Sequence, residues 1–196
     1  MEPNESKLHR HFKLFKPYGY LSQFESNARH QRNSKFLKDL HQFPDGIMAI
    51  GRLDKDSEGL LLLTTDGRAS HEITSGNVEK EYYVQVDGRI TDAAIHTIKK
   101  GLEISIEGET YTTNPCTVKK LLEEPQLPER AKHIRHSRHG DTSWISVILT
   151  EGKFRQVRKM TAAVGFHTLR LIRIRVGKHH LDGMQPLEVV ELDNLL

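Results

Sequence analysis

Cysteine is almost absent from this chain of 196 residues: Cys116 stands alone and excludes an internal disulfide. A disulfide-built secreted scaffold is therefore ruled out, and the cytoplasm is the expected compartment. Long hydrophobic runs are missing too; none approaches the roughly 18 residues that span a bilayer. The start, MEPNESKLHRHF, has no apolar signal core, so neither export nor membrane attachment is expected. A third scarcity is local. Segments 7–38, 128–140 and 151–180 hold 20 of the 29 Lys and Arg but only three of the 26 acids, Glu25, Glu129 and Glu151. Those segments carry a net +17, which leaves −14 for the rest of a chain whose total is +3.

Three unconnected solvated faces would give the same count. Acid-poor basic segments in so short a chain instead favour a polyanion footprint, where cations displace counterions from phosphates. Nucleic acid is the expected partner. The length suits one domain of two lobes with a real core.

Residues 1–11 read as a disordered polar tail, followed by a short strand that stops at Pro17-Tyr18-Gly19. Phe36, Leu37, Leu40 and Phe43 have helical spacing, with Asn33 or Ser34 as N-cap, and Ile47 to Ile50 reads as a buried strand. From Tyr82 the elements alternate: strand 82–86, helix 91–100, strand 112–121, strand 142–150, helix 153–164, strand 168–176. That is the β-α-β-β-α-β order of a ferredoxin-like half on an antiparallel sheet. The apolar parity of the last strand slips between Leu171 and Ile172, which predicts a bulge or burial on both faces. The fold class is α+β, a mainly antiparallel mixed sheet with a cleft between lobes at about 12–80 and 81–180, and 181–196 as a closing segment.

The densest signal is GRLDKDSEGLLLLTTDG, residues 51–67. Asp54, Asp56 and Glu58 imitate the start of a calcium loop, but Leu62 and Thr65 stand where later oxygen ligands are required, so no metal is assigned. Asp54, at the end of a strand and before a run of leucines, is placed either to make a turn or to project into a cleft. There it can serve as nucleophile, general base or magnesium ligand. His133, His136 and His139 recur among Lys132, Arg135 and Arg138, surroundings that suit a phosphate better than a metal ion. In the helix at 153–164, Phe154, Val157, Met160, Thr161 and Val164 form one stripe. Arg155 and Lys159 lie opposite it, and Arg158 falls at the border, where an arginine can turn its fork into a cleft or simply face solvent.

These residues carry a resemblance. GRLDKDSEGLLLLTTDG is similar to the G-R-L-D-x-x-T/S-x-G-L-L-L-L-T-x-D-G signature of RNA pseudouridine synthases of the RsuA/RluE branch. EKEYYVQVDG (79–88) resembles that branch's K-x-Y-x-V strand, and 151–177 its E-G-x-x-R-Q-V/I-R-R/K-M segment with the L-x-R that follows. FKPYG (15–19) resembles the N-K-P-x-G motif, with Phe15 in place of the usual Asn. The loop sequence before Trp144 and the phrase GFHTLRLIR look most like the short E-type members that act on large-subunit ribosomal RNA and lack an S4 domain.

The resemblance implies the pseudouridine synthase fold and isomerisation of uridine to pseudouridine in RNA, with no metal or other cofactor. It implies Asp54 as the catalytic aspartate, Tyr82 packed on a flipped uracil and Arg158 paired with Asp54. Leu171 would wall the pocket, and Arg52 would fill the space that the flipped base leaves. Lys16, Lys80, Arg135, Arg138, Arg155, Lys159 and Arg173 are assigned to phosphate contact. Asp56 and Glu58 are read as turn residues. A monomer acting on ribosomal RNA is expected.

Overall fold

The computed structural model describes residues 9–75, 78–134, 139–181 and 183–195. Strand β1 is His11–Lys16, β2 Met48–Ile50 and β3 Glu58–Thr64, and helix α1 is Gly67–Ser75. Then come β4 Lys80–Asp87, α2 Asp92–Lys100, β5 Glu103–Ile106, β6 Glu109–Thr112 and β7 Thr117–Leu121. The chain continues through β8 Thr142–Leu149, α3 Gln156–Ala163, β9 Thr168–Val176, β10 His179–His180 and β11 Val189–Leu192.

One sheet runs β11-β1-β3-β9-β4-β8-β7, with β2 beside β3 and β10 beside β9. Its second half, β9-β4-β8-β7, pairs antiparallel throughout and has the ferredoxin-like order. The side chains of Tyr82, Val84 and Val86 on β4 and Ile145, Val147 and Leu149 on β8 form a core with α2 and α3. Thr91 caps α2 through its side chain, which accepts from the Ala94 amide. In the first half β3 is buried along its whole length. Leu60 and Leu62 enter one cluster, Leu61 and Leu63 another. The four-leucine run is thus a strand covered on both faces.

The halves meet where β3 pairs parallel with β9, Glu58 opposite Ile172 and Gly59 opposite Arg173. Gly59 has φ +107°, and a Cβ there would stand 2.3 Å from the Arg173 carbonyl oxygen, so only glycine lets the strands approach. The seam places the loop before β3, with Asp54, against the second half.

Several expectations change. Residues 1–8 of the expected tail lie outside the described residues, and β1 starts already at His11, with Arg10 paired to Glu191 at 2.6 Å. The expected helix around Phe36–Phe43 is a 3-10 turn over Leu37–Asp39; the Asp39 carboxylate accepts from the Phe36 amide and closes the turn. Helix α1 and the β5–β6 hairpin went unpredicted. The burial on both faces expected in β9 is present, residues 170–173 being all buried, and two bulges fall at Leu169 and Ile174.

Candidate active site

Asp54 sits on the loop that joins β2 to β3, and that loop is held from three sides. The Ser22 hydroxyl accepts from the Leu53 amide at 3.0 Å and donates to the Leu53 carbonyl at 2.8 Å. The Gly19 amide donates to the Lys55 carbonyl at 2.8 Å, so the KPYG turn closes on the same loop. Leu53 is buried in the core under α3. These contacts fix the Asp54 backbone while its carboxylate stays partly open.

Around it lies a cavity of about 70 Å³ lined by Arg52, Asp54, Tyr82, Arg155, Val157 and Leu171. Arg52, Tyr82 and Lys153 also line a wider cavity of about 420 Å³. Tyr82 and Leu171 are core residues whose edges reach this space. The expected set of Asp54, Tyr82, Leu171 and Arg52 is thus brought together from β2–β3, β4 and β9.

Two arginines face the aspartate. Arg155 Nη1 is 3.5 Å and Arg158 Nε 3.9 Å from Asp54 Oδ2. Arg158 is anchored by Nη2, which donates to the Asp56 carbonyl at 2.8 Å and to the Ser57 hydroxyl at 3.2 Å. Its Nε is buried without a hydrogen bond. Burial raises the Asp54 pKa above the ordinary carboxylate value; Arg155 opposes this, Asp56 adds to it, and Arg158 and Lys16 oppose it. Burial also lowers the Arg158 pKa, against the pull of Asp56.

Glu58 is corrected from a turn residue to a buried anchor at the start of β3, whereas Asp56 stays in the turn, half-buried, and also holds an arginine. Asp56 accepts a bidentate pair from Arg155 at 2.9 and 2.8 Å. Burial opposes its ionisation, but the Arg155 hydrogen bonds, with Arg158 behind them, bring its pKa below the ordinary value. Glu58 is 2% exposed and takes Arg170 through both carboxylate oxygens at 3.1 Å, with Arg130 Nε at 3.2 Å. Arg130 also donates to the Asp56 and Leu169 carbonyls, each at 3.3 Å, and lies 4.1 Å over the Tyr18 ring. The polar loop that precedes β8 is thereby strapped to the loop that carries Asp54. Among the described residues no cluster of three His, Cys, Asp or Glu side chains is placed to hold a metal ion.

Two phosphate assignments are corrected. Lys16 is fully buried, its amine donating to the Pro17 and Tyr20 carbonyls at 3.1 and 2.8 Å, so it cannot reach an RNA backbone. Burial pushes its pKa down to about 7. Arg155 precedes α3 in a left-handed conformation with φ 53°, so the helical wheel never applied to it, and it is committed to Asp56 and Asp54. Arg173 is 3% exposed, its Nε donating to the Leu60 carbonyl at 2.8 Å, and it borders the wider cavity rather than the outer surface. Phe154 likewise precedes the helix and is 59% exposed instead of joining the apolar stripe. Lys159 donates to the Ser105 carbonyl at 2.7 Å, and Lys80 to the Val78 and Thr150 carbonyls. Arg135 and Arg138 lie outside the described residues. Ser22, Asp56, Glu58 and Arg130 were missed; their partners lie dozens of residues away, and only the cluster of acids after Asp54 hinted at two of them.

A ferredoxin-like half seamed to a second β-lobe, with one aspartate against a tyrosine and two arginines at the seam, defines the class: a pseudouridine synthase. The chain belongs to the RNA pseudouridylate synthase family, whose profile matches residues 11–163. It is an enzyme that isomerises uridine in RNA to pseudouridine. It is 41% identical over 175 residues to the ribosomal large subunit pseudouridine synthase E of Xanthomonas axonopodis pv. citri, covering 88% of each chain. To the protein of the same description in Vibrio vulnificus it is 38% identical over 179 residues, 90% of this chain and 72% of that one. A crystal structure described as pseudouridylate synthase superposes with a TM-score of 0.73 at 25% identity, over 94% of this chain and 70% of that one.

Proposed function

We propose that this enzyme converts a specific uridine of large-subunit ribosomal RNA to pseudouridine, with Asp54 as the nucleophile. One observation carries the reading: Asp54 is a partly buried carboxylate, unoccupied by a close hydrogen bond, at the one point where Tyr82, Leu171, Arg155 and Arg158 converge. The substrate class rests on the names of the relatives, which describe enzymes of the large ribosomal subunit.

The reaction detaches uracil from ribose at the N-glycosidic bond, turns it and rejoins it through carbon, so no atoms are gained or lost. A carboxylate beside the anomeric carbon adds to it as the base leaves, as in retaining glycosidases. Tyr82 packs on the extruded uracil, whose unstacking the enzyme must offset. Leu171 closes the pocket, and Arg52, exposed at its rim, takes the place of the base in the RNA. Arg158 and Arg155 keep Asp54 ionised despite its burial. Lys80 and Lys159, with Arg135 and Arg138, contribute positive charge for the backbone. The enzyme works as a monomer in the cytoplasm, without a cofactor.

Pseudouridine mapping across ribosomal RNA from cells lacking this gene tests the reading. One large-subunit site should lose its modification and regain it with the wild type but not with Asp54→Asn. An unchanged large-subunit map, or a map restored by the mutant, refutes it.

A further inference from the structure

Two cations without an acidic partner, Arg173 and Lys80, line the wider cavity, and Lys16 lies buried close to Arg173. Lys16 is fully buried, Arg173 is 3% exposed, and Lys80 is half-buried beside it. Their hydrogen bonds all go to backbone carbonyls: Lys16 to Pro17 and Tyr20, Lys80 to Val78 and Thr150, Arg173 Nε to Leu60. Arg173 Nη2 is buried with no acceptor at all. Its charge adds to burial in lowering the pKa of both lysines.

The other two arginines of β9 are treated differently. Arg170 is paired with Glu58, and Arg175 donates to Glu79 and Glu81. A buried cation costs several kcal/mol unless an anion compensates it. Arg173 and Lys80 therefore call for an anionic partner that the described residues do not supply.

That cavity, about 420 Å³, is lined by Lys80 and Arg173, with Arg52 and Lys153 as further cations. Its one carboxylate, Glu151, already accepts from the Tyr111 hydroxyl at 2.6 Å and the Asn114 amide at 2.7 Å. Ile50, Ile73 and Val176 supply an apolar wall. A positive floor, an apolar side and a wall shared with the Asp54 pocket together fit one nucleotide.

We propose that this cavity is a second nucleotide subsite. It receives the residue next to the flipped uridine, and the phosphodiester joining the two lies against Arg173 and Lys80. The base of that neighbour rests on the apolar wall, so the subsite reads RNA context as well as charge. The inference builds on the reading of Asp54 as the catalytic group.

The test uses a ribosomal RNA hairpin that carries the mapped uridine, synthesised with one neutral methylphosphonate linkage either 5′ or 3′ of it. Pseudouridine formation and equilibrium binding are both measured for the wild type, Arg173→Met, Lys80→Met and Thr74→Trp. Thr74 is exposed on α1 and its side chain borders the cavity, so a tryptophan there fills the space without entering the core. A hydrogen bond to a charged group contributes about 1.5–3 kcal/mol, so one of the two neutral linkages should lower wild-type kcat/KM and affinity by about ten- to a hundred-fold. The same linkage should cost Arg173→Met or Lys80→Met little more, and Thr74→Trp should weaken binding of the all-phosphate hairpin. Two neutral linkages without effect on wild-type binding, or a loss that persists in full in both methionine variants, overturns the subsite. A wild type that binds the hairpin but makes no pseudouridine in it counts instead against the proposed function, while the binding arm still decides the subsite.

Discussion

Arg155 is the residue for which surface charge and catalytic control give opposite predictions. Its Nη1 stands 3.5 Å from Asp54 Oδ2, with side chains 35% and 21% exposed. At that distance the attraction is about 5 kcal/mol with an effective dielectric near 20 and about 1 kcal/mol in water. Partial exposure moves the pair toward the lower figure, about 1–2 kcal/mol, and the attraction holds the Asp54 pKa down. Arg155→Met removes that attraction and also frees Asp56, whose charge raises the Asp54 pKa further. If Asp54 is the nucleophile, as proposed, catalysis requires it ionised, so activity falls as pH drops through its pKa. The acid limb of kcat/KM for pseudouridine formation, followed from about pH 5 to 8, should therefore move upward in the variant. An acid limb that stays in place or moves down, with only KM altered, would return Arg155 to the role of a phosphate contact.

Further outcomes concern stability. Because the folded protein holds the proton on Asp54 more tightly than the unfolded chain, the ionised form costs stability above that pKa. Asp54→Asn should therefore raise Tm at pH 7.5, with the gain shrinking as pH falls toward the carboxylate range; an equal Tm at both ends contradicts it. Lys16 has the reverse linkage: its pKa falls from 10.5 to about 7 on folding, so stability rises with pH between those values. Lys16→Met should raise Tm at pH 6 and lose most of that advantage by pH 10, which thermal melts across the range will show. Glu58→Gln leaves Arg170 and Arg130 buried without their carboxylate, and removal of one partner from such a group costs about 3–5 kcal/mol. At about 2–4 °C per kcal/mol, Tm should fall by about ten degrees, and a change within two degrees would contradict the strap.

The ferredoxin-like half could be read from the chain because its elements change period cleanly, from alternation in β4 to the 3.6-residue spacing of Ala94, Ile95 and Ile98 in α2. Helix α1 buries only Ala69 and Ile73 among nine residues, too thin a stripe to signal itself. The β5–β6 hairpin alternates Glu with Ile and Thr around Glu107-Gly108, both at positive φ, a turn signal that periodicity alone overlooks. The helix expected near Phe36 had suitable spacing, but its apolar residues pack into a short turn instead. Asp54, Tyr82 and Leu171 were placed by family resemblance; nothing in local pattern joins β3 to β4 and β9. The arginine partners of Asp56 and Glu58 were illegible for the same reason, since Arg155 and Arg170 reach them only across the seam closed by Gly59.

The central claim is that one carboxylate, Asp54, performs the isomerisation while the surrounding basic groups hold the RNA. The most direct measurement pairs two readouts on purified protein: affinity for large-subunit ribosomal RNA and single-turnover pseudouridine formation, for the wild type and Asp54→Asn. The account predicts retained affinity and no detectable pseudouridine from the variant. Substantial turnover by Asp54→Asn, with binding intact, would contradict it.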